Sequence, residues 1–222
     1  TNMMVRASST FGKDDRWSLD AKVQYILSDA KNRPLSGAND NNYFLTMFSM
    51  PSTMDIPRFQ QAVDPTTGKM FWWQKGSGLN PYWGADYNTN QDVRNRFLLN
   101  GSVKYKFTDW LNAEIKAGSD MYYTETESKL YAGSPLSTNG RYSTGEQKFY
   151  ENNFSFLVTA QKDRFLGDFG GVFTFGGNMM ERKSTGLSVN TGNKLIVPDW
   201  FWLSNANKAD LSVGQTYNHK KI

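Results

Sequence analysis

The stretch LNAEIKAGSDMYYT, residues 111–124, alternates between apolar and polar side chains. Leu111, Ala113, Ile115, Ala117, Met121 and Tyr123 take odd positions; Asn112, Glu114, Lys116 and Asp120 take even ones. Successive side chains of a β-strand point to opposite faces, so this strand has one apolar face and one polar face. A helix would wind both classes around its circumference. What the apolar face meets, packed protein or hydrocarbon, decides what the chain can fold into.

The same period recurs along the chain. Residues 2–11 put Met3, Val5, Ala7 and Phe11 on one side, and residues 16–28 put Trp17, Leu19, Ala21, Val23, Tyr25 and Leu27 there. Residues 95–107 set Phe97, Leu99, Val103, Tyr105 and Phe107 against Arg96, Asn100, Ser102, Lys104 and Lys106. Further strands are predicted over 110–125, 149–162 and 168–180, and a seventh from about Leu211. These segments exceed the usual five or six residues of globular strands. They reach the roughly nine to eleven tilted residues that cross a bilayer.

The connections alternate in length. GKDDR (12–16), TDW (108–110) and KDRFLGD (162–168) are short; 29–94, 126–148 and 181–210 are long. Short turns at one end and long loops at the other are the pattern of an outer-membrane barrel. Phe11, Trp17, Phe107, Trp110, Phe165 and Phe169 flank the short turns, where one interfacial aromatic girdle would sit. The odd positions carry no charge from Trp17 to Leu27, Phe97 to Phe107 or Leu111 to Tyr123. Lipid satisfies that absence, and so does a dry protein core. Lys104, Lys106, Glu114 and Lys116 on the other face need water. The expected fold is therefore all-β: an antiparallel transmembrane β-barrel segment of about seven strands with long extracellular loops.

Mean hydropathy is −0.62, and no run approaches the roughly 18 apolar residues of a spanning helix. That excludes helical spans and leaves strands open. Net charge is +4, but Lys and Arg are dispersed, which argues against a nucleic-acid partner. Without cysteine there is no disulfide framework and no thiolate metal site. The chain opens TNMMVRASST and closes VGQTYNHKKI, both alternating. A piece of a longer protein is expected, one barrel domain over 1–222 with no signal peptide among these residues.

Bond-making chemistry finds little support. The single histidine, His219, reads as solvated, and Asp14, Asp15, Asp163 and Asp168 read as turn carboxylates beside Lys and Arg. GSGLNP (76–81) lacks the third glycine of a dinucleotide fingerprint. NGS (100–102) and NFS (153–155) match a glycosylation acceptor but fall inside predicted strands. The expectation is a non-enzyme with no cofactor, no metal and no catalytic residue.

NPYW (80–83), the Asn-rich run DYNTNQDVRNRFLLNGSVKYKFTDWLNAEIKAGSDMYY (86–123), NRPLSGANDNNYFLTMFSMP (32–51), FTFGGNMM (173–180) and VPDWFWLSNA (197–206) together resemble the SusC/RagA family of TonB-dependent outer-membrane transporters. The resemblance covers most of the chain and rests on the order of these segments. The last departs from the family's usual pattern, because Trp200, Phe201 and Trp202 are bulkier. The resemblance implies a barrel of about 22 strands, of which these would be about a third. It implies residence in the outer membrane of a Bacteroidetes-like Gram-negative cell, among its lipids. It implies uptake of oligosaccharides, or less commonly peptides, with a SusD-like surface lipoprotein as lid. Energy would come through the TonB complex by way of an N-terminal plug region; neither the plug nor the TonB box is found among these residues.

Two loops are rich in rings. MFWWQKGSGLNPYW (70–83) offers Trp72, Trp73, Tyr82 and Trp83, and PDWFW (198–202) offers Trp200 and Trp202. Flat rings beside Asn and Asp suit sugar faces and hydroxyls, so these six are candidate substrate-binding residues. The same rings could pack the loops or meet the partner lipoprotein. YFLTMFSMP (43–51) is expected as a short helix or buried segment, making 29–94 a folded loop. Two alternatives stand beside the importer. One is a passive outer-membrane porin. The other is a soluble carbohydrate-binding β-sandwich, which would bury its apolar face under a second sheet.

Overall fold

The computed structural model describes residues 1–33, 42–74, 76–167, 169–192 and 194–222, without the side chains of Phe165 and Leu166. The expectations placed on Asp168, the Phe165 ring and part of 32–51 lie outside the described residues. Seven strands form one antiparallel sheet in sequence order: β1 (Asn2–Phe11), β2 (Trp17–Lys31), β3 (Asn88–Lys106), β4 (Leu111–Leu130), β5 (Arg141–Leu166), β6 (Phe169–Asn190) and β7 (Ser212–Lys221). Two short helices, α1 (Tyr43–Phe48) and α2 (Pro81–Asp86), lie in the loop between β2 and β3. Among the described residues, no helix is long and apolar enough to cross a membrane.

Register keeps the two faces consistent. Trp17, Tyr105, Ala113, Val158 and Phe175 are cross-strand partners in one row, and so are Leu19, Val103, Ile115 and Phe156 in another. A slip of one residue between any two strands would interleave charges into this face, which is why the period fixes the pairing.

The first two short connections fall within a residue of where they were expected, the third is tighter, and β2 to β6 are longer. The third turn closes between Leu166 and Phe169, so Asp163 lies in β5 and not in a turn. Gly12 opens the first turn with φ of 90°, and a Cβ there would sit 3.0 Å from Trp17 Cδ1. Trp17 stacks parallel to Phe11 and packs on Tyr105, which meets Phe107 edge-on, so rings cover the short-turn end of three strands. At the other end β3 begins at Asn88, β4 runs to Leu130, β5 begins at Arg141 and β6 runs to Asn190. Segments such as TETES (124–128) and RKSTG (182–186) are polar on both faces. They pair through backbone hydrogen bonds without any alternation to announce it. The long loops shrink accordingly to 32–87, 131–140 and 191–211.

The main buried cluster is in the loops, with Leu130 and Tyr142 buried at the adjoining strand ends. Ala62, Leu79 and Trp83 form its centre, with Tyr43, Val63, Met70, Tyr82, Tyr87, Tyr131 and Leu136 around them.

Candidate functional site

The sheet inverts the arrangement of a protein that buries oil and shows charge. On β4, Ile115 is 49 % exposed while the adjacent Glu114 side chain is only 22 % exposed. Val23, Phe97, Val103, Phe154, Phe156, Phe173, Phe175 and Met179 are likewise exposed. Along β2 the apolar odd residues up to Val23 are exposed and the even residues half-buried, as on a wall whose polar side is concave. Among the described residues the seven strands form one sheet, and no second sheet lies over its apolar face, as the sandwich alternative would require.

The edge of the apolar band crosses the strands obliquely. In the row Val5, Val23, Leu99, Ser119, Asn152, Glu181, Lys221 the side chains change from aliphatic to ionic across the sheet. On β2 the last apolar residue of this face is Leu27, whose row reaches β6 at Thr185 through Asn95, Tyr123 and Lys148. On β6 the band ends at Met179, six residues short of Thr185. Six residues are about 20 Å along a strand, and four strand spacings are about 19 Å across them. A planar boundary with that slope tilts the strands by about 45° from its normal, close to the 35–45° of outer-membrane barrels.

The polar face carries a compact ionic and aromatic patch. Asp120 and Glu151 are direct cross-strand neighbours, a repulsive pairing by itself. Arg96 resolves it on one side, its Nε and terminal nitrogen donating to the two Asp120 oxygens at 2.8 and 2.6 Å. Arg182 resolves it on the other, donating to Glu151 at 2.6 Å, while Asn153 donates to the second Glu151 oxygen at 3.0 Å. Immediately above, Tyr122 and Phe149 stack at 4.6 Å, with the Arg94 guanidinium 4.7 Å from the Tyr122 ring. Sequence alternation puts these residues on one face; only register makes them neighbours.

All three long loops emerge at one end and lean on each other. Tyr131 N donates to Tyr87 O, Met70 N to Gly133 O, Leu195 N to Gly140 O, and Ala132 N to Asp199 Oδ1 at 2.6 Å. A chain of rings links them: Trp83 to Tyr87 at 4.4 Å, Tyr87 to Tyr131 at 5.5 Å, and Tyr131 to Phe201 at 4.7 Å. Two buried asparagines lock the backbone. Asn80 caps α2 by accepting from Tyr82 N, and its amide donates to Phe59 O and Phe71 O. Asn205 donates to Val197 O and Trp200 O, both at 2.7 Å, and accepts from Val197 N. These two residues explain why NPYW and LSN stand where they do.

The six candidate rings divide by position. Trp72 and Trp83 are 6 % and 2 % exposed and pack inside the β2–β3 loop. Trp73 and Tyr82 are half-buried beside them. Trp200 and Trp202, at 58 % and 62 % exposed, stand on the separate β6–β7 loop. Phe201 turns inward between them. His219 of β7 lies 2.9 Å from Glu181 of the neighbouring β6.

With this geometry in view, the chain can be set against known proteins. Superposition on the solved structure titled "Structure of the RagAB peptide transporter" gives a TM-score of 0.71 at 14 % identity over 99 % of this chain. It is a barrel segment. Two further structures, of "the RagAB peptide importer" in its closed-closed and open-open states, each give 0.66, at 14 % and 15 % identity. In all three the chain spans 24 % of the matched protein's length. No family model and no curated protein matches the sequence.

Proposed function

We propose that this chain is a portion of the barrel wall of an outer-membrane importer of the SusC/RagA kind. One observation carries the reading: the large apolar side chains stand exposed in an oblique band, while the carboxylates of the other face, Glu114, Asp120 and Glu151, are the sheltered groups. Water does not tolerate that inversion over five strands, and hydrocarbon requires it. The band would lie in the outer membrane and the Arg96–Asp120 patch would face a hydrated bore. The joined loops would form an external chamber, closed by a SusD-like lipoprotein, and TonB would act through a plug domain. The importer moves cargo and breaks no bond.

For the cargo we favour glycans. The loop module presents neutral amides, hydroxyls and rings, with Trp200 and Trp202 as exposed sugar platforms and Trp73 and Tyr82 at half-buried positions. A peptide cargo is the second reading, favoured by the likeness to the RagAB peptide transporter and importer structures. A passive porin would share the wall but not the plug.

Deletion of the gene, followed by uptake measurements with labelled oligosaccharides and labelled peptides, tests both readings. Loss of oligosaccharide uptake that returns with the full-length gene supports the glycan importer. Loss of peptide uptake alone transfers the assignment to peptides. Fractionation of the full-length protein away from the outer membrane defeats the membrane reading itself.

A further inference from the structure

On the polar face, where β1 to β5 lie side by side, there is a recess of about 480 Å³. Two ion pairs line it, Arg6–Asp20 at 2.9 Å and Lys116–Glu114 at 3.2 Å. The other polar side chains of its lining, Asn100, Ser102, Asn153 and Ser155, are neutral. Gly118 is the cross-strand partner of both Asn100 and Asn153, and a Cβ on it would lie 3.2 Å from Asn100 Oδ1. The glycine therefore leaves the floor between the two amides bare. Asn153 donates to Glu151, while the Asn100 amide and the two serine hydroxyls make no hydrogen bond among the described residues.

Charge on this face does not cancel. From the row of Lys106 to the row of Asp92, every carboxylate of the face is already held by an arginine or lysine at 2.6–3.2 Å. Lys22, Lys104 and Lys106 are left without an ion pair among the described residues. Register puts the first two at the recess. Lys22 is the partner of Asn100, and Lys104 lies two residues along β3 from Ser102 on the same face. A wall of low dielectric focuses such an excess into the water beside it, and the charge that lines a pore selects what passes.

We propose that this recess is a wall site for an anionic sugar, a carboxylated or sulfated unit of the cargo on its way through the bore. The inference rests on the glycan-importer reading above and narrows its cargo. The anionic group takes Lys22 or Lys104, and the ring hydroxyls exchange hydrogen bonds with Asn100, Ser102 and Ser155. A cationic cargo meets no unpaired carboxylate here, and a neutral one leaves both lysines unanswered. An extended peptide is held by an open strand edge, whereas β2, β3 and β4 are paired on both sides at this place.

The test uses the full-length protein in detergent on an array of carboxylated and sulfated oligosaccharides, their methyl-esterified or desulfated counterparts, and acidic peptides. The expected result is retention of at least one acidic oligosaccharide, weakened by about fivefold or more when its charge is removed and weakened by added salt. Lys22→Gln combined with Lys104→Gln should weaken the same retention by about fivefold or more. Lys148→Gln, on the opposite face beside Tyr123, should leave it unchanged. Equal retention of the neutralised sugar, retention of acidic peptides alone, or no retention overturns the proposal. So does an affinity that the double variant leaves unaltered, the result expected if these lysines serve only the plug. The comparison of charged with neutralised sugar needs no variant, so a folding defect does not shelter the site. Gene deletion separates the two claims. Unimpaired uptake of acidic and neutral oligosaccharides defeats the importer, and lost uptake with unaltered variant affinity defeats the wall site alone.

Discussion

Ile115→Lys distinguishes lipid from water at the apolar face by magnitude. Ile115 is already 49 % exposed, sits across from Val103 and Phe156, and lies near the middle of the β4 band that runs from Leu111 to Met121. In water a substitution at so exposed a site would change stability by no more than about 0.5 kcal/mol. In a bilayer the same lysine, near the midplane, costs about 2–4 kcal/mol, falling to about 0–1 near the interface. Glu114→Gln, one residue away on the opposite face, weakens a contact with Lys116 at 3.2 Å whose lysine is well exposed, so it should cost less than about 1 kcal/mol. Guanidinium titration of the full-length barrel, reversibly folded into dilauroyl phosphatidylcholine vesicles, reads both values. Phe169→Lys, at the short-turn end of β6, supplies the interfacial control. If Ile115→Lys lies within about 0.5 kcal/mol of the parent, the apolar face does not meet hydrocarbon and the membrane reading falls.

Three further outcomes follow from the loops and the polar face. Asn205→Ala leaves the carbonyls of Val197 and Trp200 without their amide donor and should loosen 195–206 locally by about 1–3 kcal/mol, seen as faster amide exchange there. Asp120→Asn weakens the two-pronged contact from Arg96, and because the Arg96 side chain is 38 % exposed, the loss should stay near 1 kcal/mol or below in the same vesicle titration. The Asp64 carboxyl is held below its ordinary value of 3.8, chiefly by the Thr66 N–H and then by the Thr67 hydroxyl. Because the folded value is the lower one, this turn gains from the charge above the unfolded value and loses it as pH falls through the lowered value. Carboxyl NMR of the full-length protein should give a midpoint below 3.8.

The sequence alone determined the strands and their faces. Alternation from Trp17 to Leu27 or from Leu111 to Tyr123 repeats every two residues, so it needs no partner to be read, and turn length sorted the two ends of the sheet. It also fixed which residues could share the polar face. Only the tertiary structure decided the rest. Strand ends that are polar on both sides, such as TETES, became visible through pairing, because a period of two vanishes when both faces are wet. The aromatic-rich loops could be seen in the sequence, but not which rings would be consumed. Trp83 is buried through rings that link loops far apart in the chain, Trp72 through Phe59 and Trp73 of its own loop, while Trp200 and Trp202 remain exposed. The Arg96–Asp120–Glu151–Arg182 patch likewise depends on the register of four strands, a relation between distant segments that no local period encodes.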